Sequence, residues 1–180
     1  MSRSADWIRR QSRDPYYHLA KKQGYNSRAA FKLEQIDQKY NLISKGIVAV
    51  DLGSSPGGWA QVLLRRGASL VVGVDLLAPP QNVCSETRYK WIQGDMLAEE
   101  TKSEVLNLVA GKKVDLVVSD MLGNSTGDDR VDHFRSIHLA HQALEFALKV
   151  LDPAHSSFVC KVLQGADGEL SHFHCAFTLV

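Results

Sequence analysis

Cysteine is scarce in this chain, and its placement excludes two chemistries. Cys84, Cys160 and Cys175 are the only three in 180 residues. They are widely spaced and form no Cys-x-x-Cys pair, so neither a disulfide framework nor a zinc site is expected. No apolar run approaches the roughly 18 residues a membrane helix needs. The basic start lacks the apolar stretch of a secretory signal, and Asp6 and Asp14 interrupt the pattern of a mitochondrial presequence. His138 and His141 lie three apart with no third ligand nearby, so no metal site is expected. The dinucleotide fingerprint G-x-G-x-x-G is also missing, which argues against a nicotinamide-dependent oxidoreductase. These absences lead us to expect a cytoplasmic monomer without a membrane partner. A mitochondrial location is the alternative for a eukaryotic source.

What is present is one domain's worth of ordinary globular sequence, 44% hydrophobic and 23% charged. Its centre is the stretch 47–61. A β-branched run ends at Asp51, then Gly53, Pro56, Gly57 and Gly58 make a turn, and Trp59-Ala-Gln61 opens a helix. The run reads as a buried parallel strand. Glycines let backbone approach a ligand closely, and the helix start aims free N–H groups at the same place. Asp51 could fix loop amides or reach a cationic ligand. A second strand over 69–76 ends near Asp75, at the spacing of a ribose-binding carboxylate.

The net charge of +1 hides an asymmetry. Residues 1–32 hold eight basic and two acidic side chains, a net of +6, which leaves −5 for the remainder. Trp7, Tyr16, Tyr17, Tyr25 and Phe31 are interleaved with these charges. Cations neutralise phosphates and rings stack on unpaired bases, so residues 1–26 read as an RNA-contacting arm. The alternative is a solvated arm whose aromatics pack on the domain. The remainder, 27–180, reads as the globular domain.

Further along, Ser27 is expected to cap a helix running to Asn41 that buries Phe31, Ile36 and Tyr40. A third strand covers 89–95 and ends at Asp95, which could border a ligand or cap the helix over 98–110. A fourth strand over 114–121 carries Asp120 at its end. Asp132 is expected to cap a long helix to about Leu151, with Phe134, Ile137, Ala140, Leu144, Ala147, Leu148 and Leu151 as its apolar stripe and Pro153 as its stop. A fifth strand over 156–163 carries Lys161, and a lysine in an apolar strand is costly to bury. The tail, 169–180, reads as the start of another helix. Alternating strands and helices imply a doubly wound, Rossmann-like α/β sheet.

Asp51-Leu-Gly-Ser-Ser-Pro-Gly-Gly-Trp59 resembles motif I of the FtsJ-type (RrmJ-like) ribosomal RNA ribose 2′-O-methyltransferases. The resemblance extends to Ser27-Arg28-Ala-Ala-Phe31-Lys32-Leu33, to Ser119-Asp120-Met121, and to Lys161-Val-Leu-Gln164-Gly165. It implies an S-adenosylmethionine-dependent methyltransferase acting on ribosomal RNA, a uridine ribose of the large subunit. It further implies a cofactor site at Gly57, Trp59, Asp75, Asp95 and Asp120, and a catalytic group of Lys161, Asp120 and Lys32. Lys161 would be the base, Asp120 its orienting partner, and Lys32 the group that tunes it and positions substrate. Two departures stand out. The family's Ala-Pro-Asn after Asp-Met is Leu122-Gly123-Asn124 here, which leaves that loop less rigid. The usual C-terminal strand pair, bearing a last glutamate, finds no match, and Glu169 falls too early to replace it. A non-catalytic RNA-binding or ribosome-assembly protein of the same fold is the alternative function.

Overall fold

The computed structural model describes residues 14–123, 125–152, 155–163 and 173–178, the last segment by its backbone. The elements run α1 (Pro15–Gln23), α2 (Ala29–Tyr40), β1 (Val48–Leu52), α3 (Gly58–Arg65), β2 (Leu70–Asp75), α4 (Gln81–Cys84), β3 (Tyr89–Gln93), α5 (Glu99–Leu108), β4 (Leu116–Ser119), α6 (Asp129–Val150), β5 (Ser157–Val162) and β6 (Phe173–Thr178). The sheet order is β3-β2-β1-β4-β5-β6. The first five strands are parallel, and β6 is antiparallel to β5. Strand order reverses between β1 and β4, so a crevice opens there at the carboxyl ends of the strands.

Side-chain alternation along the strands divides the core in two. Ala49, Val71, Leu116, Val118 and Val159 face α2 and α3, whereas Val50, Leu52, Val72, Val117, Phe158 and Cys160 face α5 and α6. Lys161 is two residues beyond Val159, so the same period-two rule turns it toward the α2 face. Asp51, two beyond Ala49, points the same way. The topology thus brings the α2 lysine and the strand-borne groups to one side of the sheet.

The described part of the basic segment is a docked helix. Asp14 accepts the Tyr16 amide at 2.9 Å, Pro15 opens α1, and left-handed Gly24 closes it. Ala20 is buried, Tyr25 lies edge-on to Phe31, and the Tyr25 hydroxyl donates to Glu34 at 2.6 Å. The Arg65 guanidinium covers the Tyr25 ring at 4.1 Å. Tyr25 and Phe31 are both buried against the domain. Residues 1–13, with Trp7, lie outside the described residues.

Three expectations about elements need correction. The tail contributes β6, a strand, where a helix was expected. Local sequence gives weak discrimination for a short apolar-aromatic stretch, and β5 offers an open ladder to which residues 173–178 pair in full register, from Val162↔Phe173 to Ser157↔Thr178. Among the described residues this is a single antiparallel strand and not a pair. Second, α6 is capped by Asp128, which accepts the Arg130 and Val131 amides, and Asp132 is turned to another use. The expected stripe holds in part: Ala147 and Leu151 are buried and Ala140 and Leu144 pack against the same core, but the helix is turned away from the rest of it. Ser136, Ala143, Phe146 and Ala147 are its buried residues, while Phe134, Ile137 and Leu148 are 70%, 44% and 57% exposed. Third, Ser27 Oγ does accept the Ala29 amide at 3.1 Å, but Tyr40 at the far end of α2 is half exposed. Pro153 lies outside the described residues.

Candidate active site

Five strand ends and the loops after them line a cleft of about 520 Å³. Its wall contains Gly53 and Ser55 after β1, Asp75 to Leu77 after β2, Gly94 to Leu97 after β3, Asp120 to Gly123 after β4, Leu139 of α6, and Lys161 of β5. The volume suits a nucleoside-sized ligand. Leu76, Leu77 and Leu97 expose apolar surface at the rim, which fits the faces of a planar base. The charged lining groups are three carboxylates, Asp75, Asp95 and Asp120, and one lysine, Lys161. That set favours a ligand with hydroxyls and positive charge over one with phosphates.

The glycine loop is shaped by contacts that leave no room for side chains. Gly53 is left-handed (φ 76°), and a Cβ there would stand 2.8 Å from the Met121 amide nitrogen. Gly57 (φ 92°) would meet Val83 at 2.7 Å. The Gly53 and Ser54 amides both donate to the Val74 carbonyl, and the Ser55 amide donates to Asp75 Oδ2 at 2.9 Å. Asp75 Oδ1 accepts from the Leu77 amide at 2.9 Å. Asp75 thus ties the β1 loop to the end of β2 while lining the cleft. Asn26 adds an outer brace, its Nδ2 donating to the Pro56 carbonyl at 2.8 Å and its backbone amide to Gln61 Oε1.

The other expected cofactor residues divide. Asp95 lines the cleft and is exposed, with Oδ1 accepting the Leu97 amide at 2.9 Å. It initiates the turn into α5 without being its cap, because the helix begins only after Ala98. Asp120 is on the wall. Gly57 and Trp59 stand behind it. The Trp59 indole is buried in the core, where Nε1 donates to the Ala29 carbonyl at 2.8 Å and clamps α3 to α2. It lines a small recess shared with Ser55, Pro56 and Asp120.

The expected catalytic group does come together. Lys161 Nζ is ion-paired with Asp120 Oδ1, and both side chains are largely shielded from solvent. Lys32 of α2 faces the same pair. Its pKa is lowered, first by burial, then by the Lys161 charge, with Asp120 opposing and Arg28 lowering it further. Gln164, Gly165 and Glu169 lie outside the described residues.

One buried network was not foreseen. Asp51 is fully buried, and its Oδ2 accepts from the Ser54 hydroxyl at 2.8 Å, while Oδ1 has no hydrogen-bond partner. Ser54 Oγ lies 3.0 Å from the Tyr89 hydroxyl. Burial raises the Asp51 pKa to about 7, the Ser54 bond opposes this, and Asp120 and Asp75 add to it. Burial and the Asp51 charge also raise the Tyr89 pKa. Gly73 on β2 makes the space, since a Cβ would collide with the Tyr89 hydroxyl and lie 2.8 Å from Ser54 Oγ. A glycine inside a strand was the available signal. His138 and His141 are exposed, and no metal-binding group of His, Cys, Asp and Glu occurs among the described residues. Nor is any described helix long and apolar enough to cross a membrane.

Known proteins are similar to this chain in sequence and fold. A ribosomal RNA large subunit methyltransferase E from Granulibacter bethesdensis is 49% identical over 162 residues, which cover 90% of this chain and 68% of that protein. The protein of the same name from Acidiphilium cryptum is 45% identical over 93% of this chain and 72% of its own length. The crystal structure of a ribosomal RNA methyltransferase from Plasmodium falciparum superposes with a TM-score of 0.69 at 25% identity, covering 79% of this chain and 80% of that one. The model of the FtsJ-like methyltransferases matches residues 25–178, from the brace before α2 to the end of β6, and the chain belongs to that family.

Proposed function

We propose that the protein transfers a methyl group from S-adenosylmethionine to a ribose 2′-oxygen of large-subunit ribosomal RNA, a uridine in our reading. The observation that carries this is the meeting of Lys32, Asp120 and Lys161 at the edge of a nucleoside-sized cleft walled by carboxylates. The cofactor supplies an electrophilic methyl on a sulfonium. Asp75 would accept the ribose hydroxyls, Asp95 and the leucine rim would border the adenine, and Asp120 would face the positive end. Gly57 and Trp59 would act by shaping the loop and holding it on α2.

The residues then need to align a weak nucleophile and take its proton. For an in-line displacement of that methyl, Asp120 and Lys161 would have to hold the ribose hydroxyl opposite the sulfonium. The hydroxyl proton passes to the Lys161 amine, which Asp120 orients. An amine accepts a proton only when neutral, and two ammonium groups side by side disfavour each other. At Lys32 that opposition appears as a lowered pKa. Lys32 also belongs to the basic α1–α2 segment, along which an RNA backbone would lie. We expect the active species to be a monomer working in the cytoplasm, or in the mitochondrion of a eukaryote.

The test is transfer of labelled methyl from S-adenosylmethionine to undermethylated large ribosomal subunits, with the modified ribose mapped on the RNA. Lys161→Ala should lower the rate roughly 10²- to 10⁴-fold while cofactor affinity survives. Equal loss of both would reject the assignment of the base. Tight cofactor binding and particle binding without transfer would favour a ribosome-assembly protein.

A further inference from the structure

The loop after β4 leaves the sheet at Asp120, crosses the rim of the cleft with Met121, Leu122 and Gly123, and returns to α6 at Asp128. It contains no proline to stiffen it. Its outer part is instead gathered onto one carboxylate, a full turn inside α6. Asp132 Oδ2 accepts from the Ser125 hydroxyl at 2.7 Å. Oδ1 accepts from the Thr126 amide at 2.9 Å and from the Thr126 hydroxyl at 2.8 Å. The same threonine hydroxyl accepts from the Asp128 amide at 3.2 Å, which closes the loop onto the helix start. These donors hold the Asp132 pKa down to about 2, the Thr126 amide first and the Ser125 and Thr126 hydroxyls after it. The carboxylate is therefore an anion at any working pH.

The same end of α6 also grips the strand that carries Lys161. His133 Nδ1 lies 2.5 Å from the Leu163 carbonyl, and the Leu163 amide donates to Ser136 Oγ at 2.9 Å. Asp132 and His133 are neighbours in sequence. One turn of helix thus holds the segment after Asp120 and the segment after Lys161, the two halves of the ion pair.

We propose that Asp132 is a positioning residue for the RNA acceptor: by holding Ser125 and Thr126 it latches the loop after β4 as the wall against which the target nucleotide is seated beside Asp120 and Lys161. This rests on the function proposed above. The carboxylate does the work that a rigid proline turn would otherwise do, and it acts through Ser125 and Thr126, neither of which lines the cleft. Loss of the latch therefore weakens acceptor placement and leaves cofactor binding intact.

Asp132→Ala and, separately, the loop-side pair Ser125→Ala with Thr126→Val test this. The second variant removes the donors and leaves α6 unaltered, so it keeps the test alive should the first fold poorly. Each should raise KM for the ribosomal particle roughly tenfold, with the dissociation constant for S-adenosylmethionine and the thermal midpoint little changed. Combining them should add little, because both break one interaction. Hydrogen exchange at the Thr126 amide supplies a readout free of activity, and it should be slow in the wild type and fast in Asp132→Ala. Fast exchange in the wild type, or an unchanged KM in variants of a wild type that methylates, would overturn the latch. No transfer by the wild type, with the Thr126 amide protected, would instead overturn the function on which its role depends.

Discussion

At Asp51 a carboxylate sits with no solvent exposure, one hydroxyl donor and one orphaned oxygen. Its pKa of about 7, against an ordinary 3.8, makes it a titrating group with a stability consequence. Below the ordinary carboxylate range it is protonated in both folded and unfolded chains. Between there and about 7 the unfolded chain gives up a proton that the folded one keeps, so stability falls as pH rises. Above about 7 the loss is complete, at about 4 kcal/mol. Asp51→Asn should remove this slope. Urea unfolding at about pH 5 and about pH 8 should show the variant gaining about 2–3 kcal/mol relative to wild type across that interval. A parallel pH dependence of the two proteins would mean that Asp51 is ionised throughout. The motif around Asp51 was legible from sequence, but its burial was not. Burial depends on Tyr89 and Ser54 closing over it beneath Gly73, three residues drawn from three separate segments.

The long helix α6 shows what periodicity can and cannot decide. Its length and its stop near Leu151 follow from the sequence, yet its rotation does not. A 22-residue helix carrying apolar groups on several sides offers more than one stripe. Which stripe is buried is set by the hydrogen bonds that Ser136 and His133 make with Leu163, and by Phe146 and Ala147 packing beneath β4 and β5. The consequence is measurable. Phe146→Ala should cost about 3–5 kcal/mol, because Phe146 is 2% exposed in the core. Phe134→Ala should change stability by no more than about 0.5 kcal/mol, because that ring is largely in solvent. Chemical denaturation of the two variants distinguishes this rotation from the expected one, under which Phe134 would be the costly site.

For the molecule as a whole, the described part of the basic segment behaves as part of the core. Ala20, Tyr25 and Phe31 share one apolar cluster with Ala49, Trp59 and Val159, so α1 and α2 are continuous with the sheet. Trp59 reports the α2–α3 contact, and Trp91 sits on β3 at the opposite edge from β6. Single-tryptophan variants retaining one or the other should unfold at the same urea concentration as the circular dichroism signal. An earlier transition at Trp59 would mean that α1 and α2 are a separable unit. At the other edge β6 covers the open side of β5, which tertiary pairing required and local sequence did not announce.

The sequence by itself determined the doubly wound fold and the chemistry at the strand ends. Buried parallel strands are continuous apolar runs, and a charged residue that ends such a run has few places to go except the crevice. Asp75, Asp120 and Lys161 could therefore be named from spacing and motif, and all three line the cleft. The tertiary structure alone decided the rest. It turned the Trp59 indole into the core, assigned the lowered pKa to Lys32, made a strand of 173–178, and gave Asp132 to the loop and not to the helix cap. The first three outcomes are settled by neighbours distant in the chain, and the last by how a loop six or seven residues away folds back. Desolvation, ladder pairing and hydrogen-bond satisfaction are sums over such neighbours, and local pattern does not contain them.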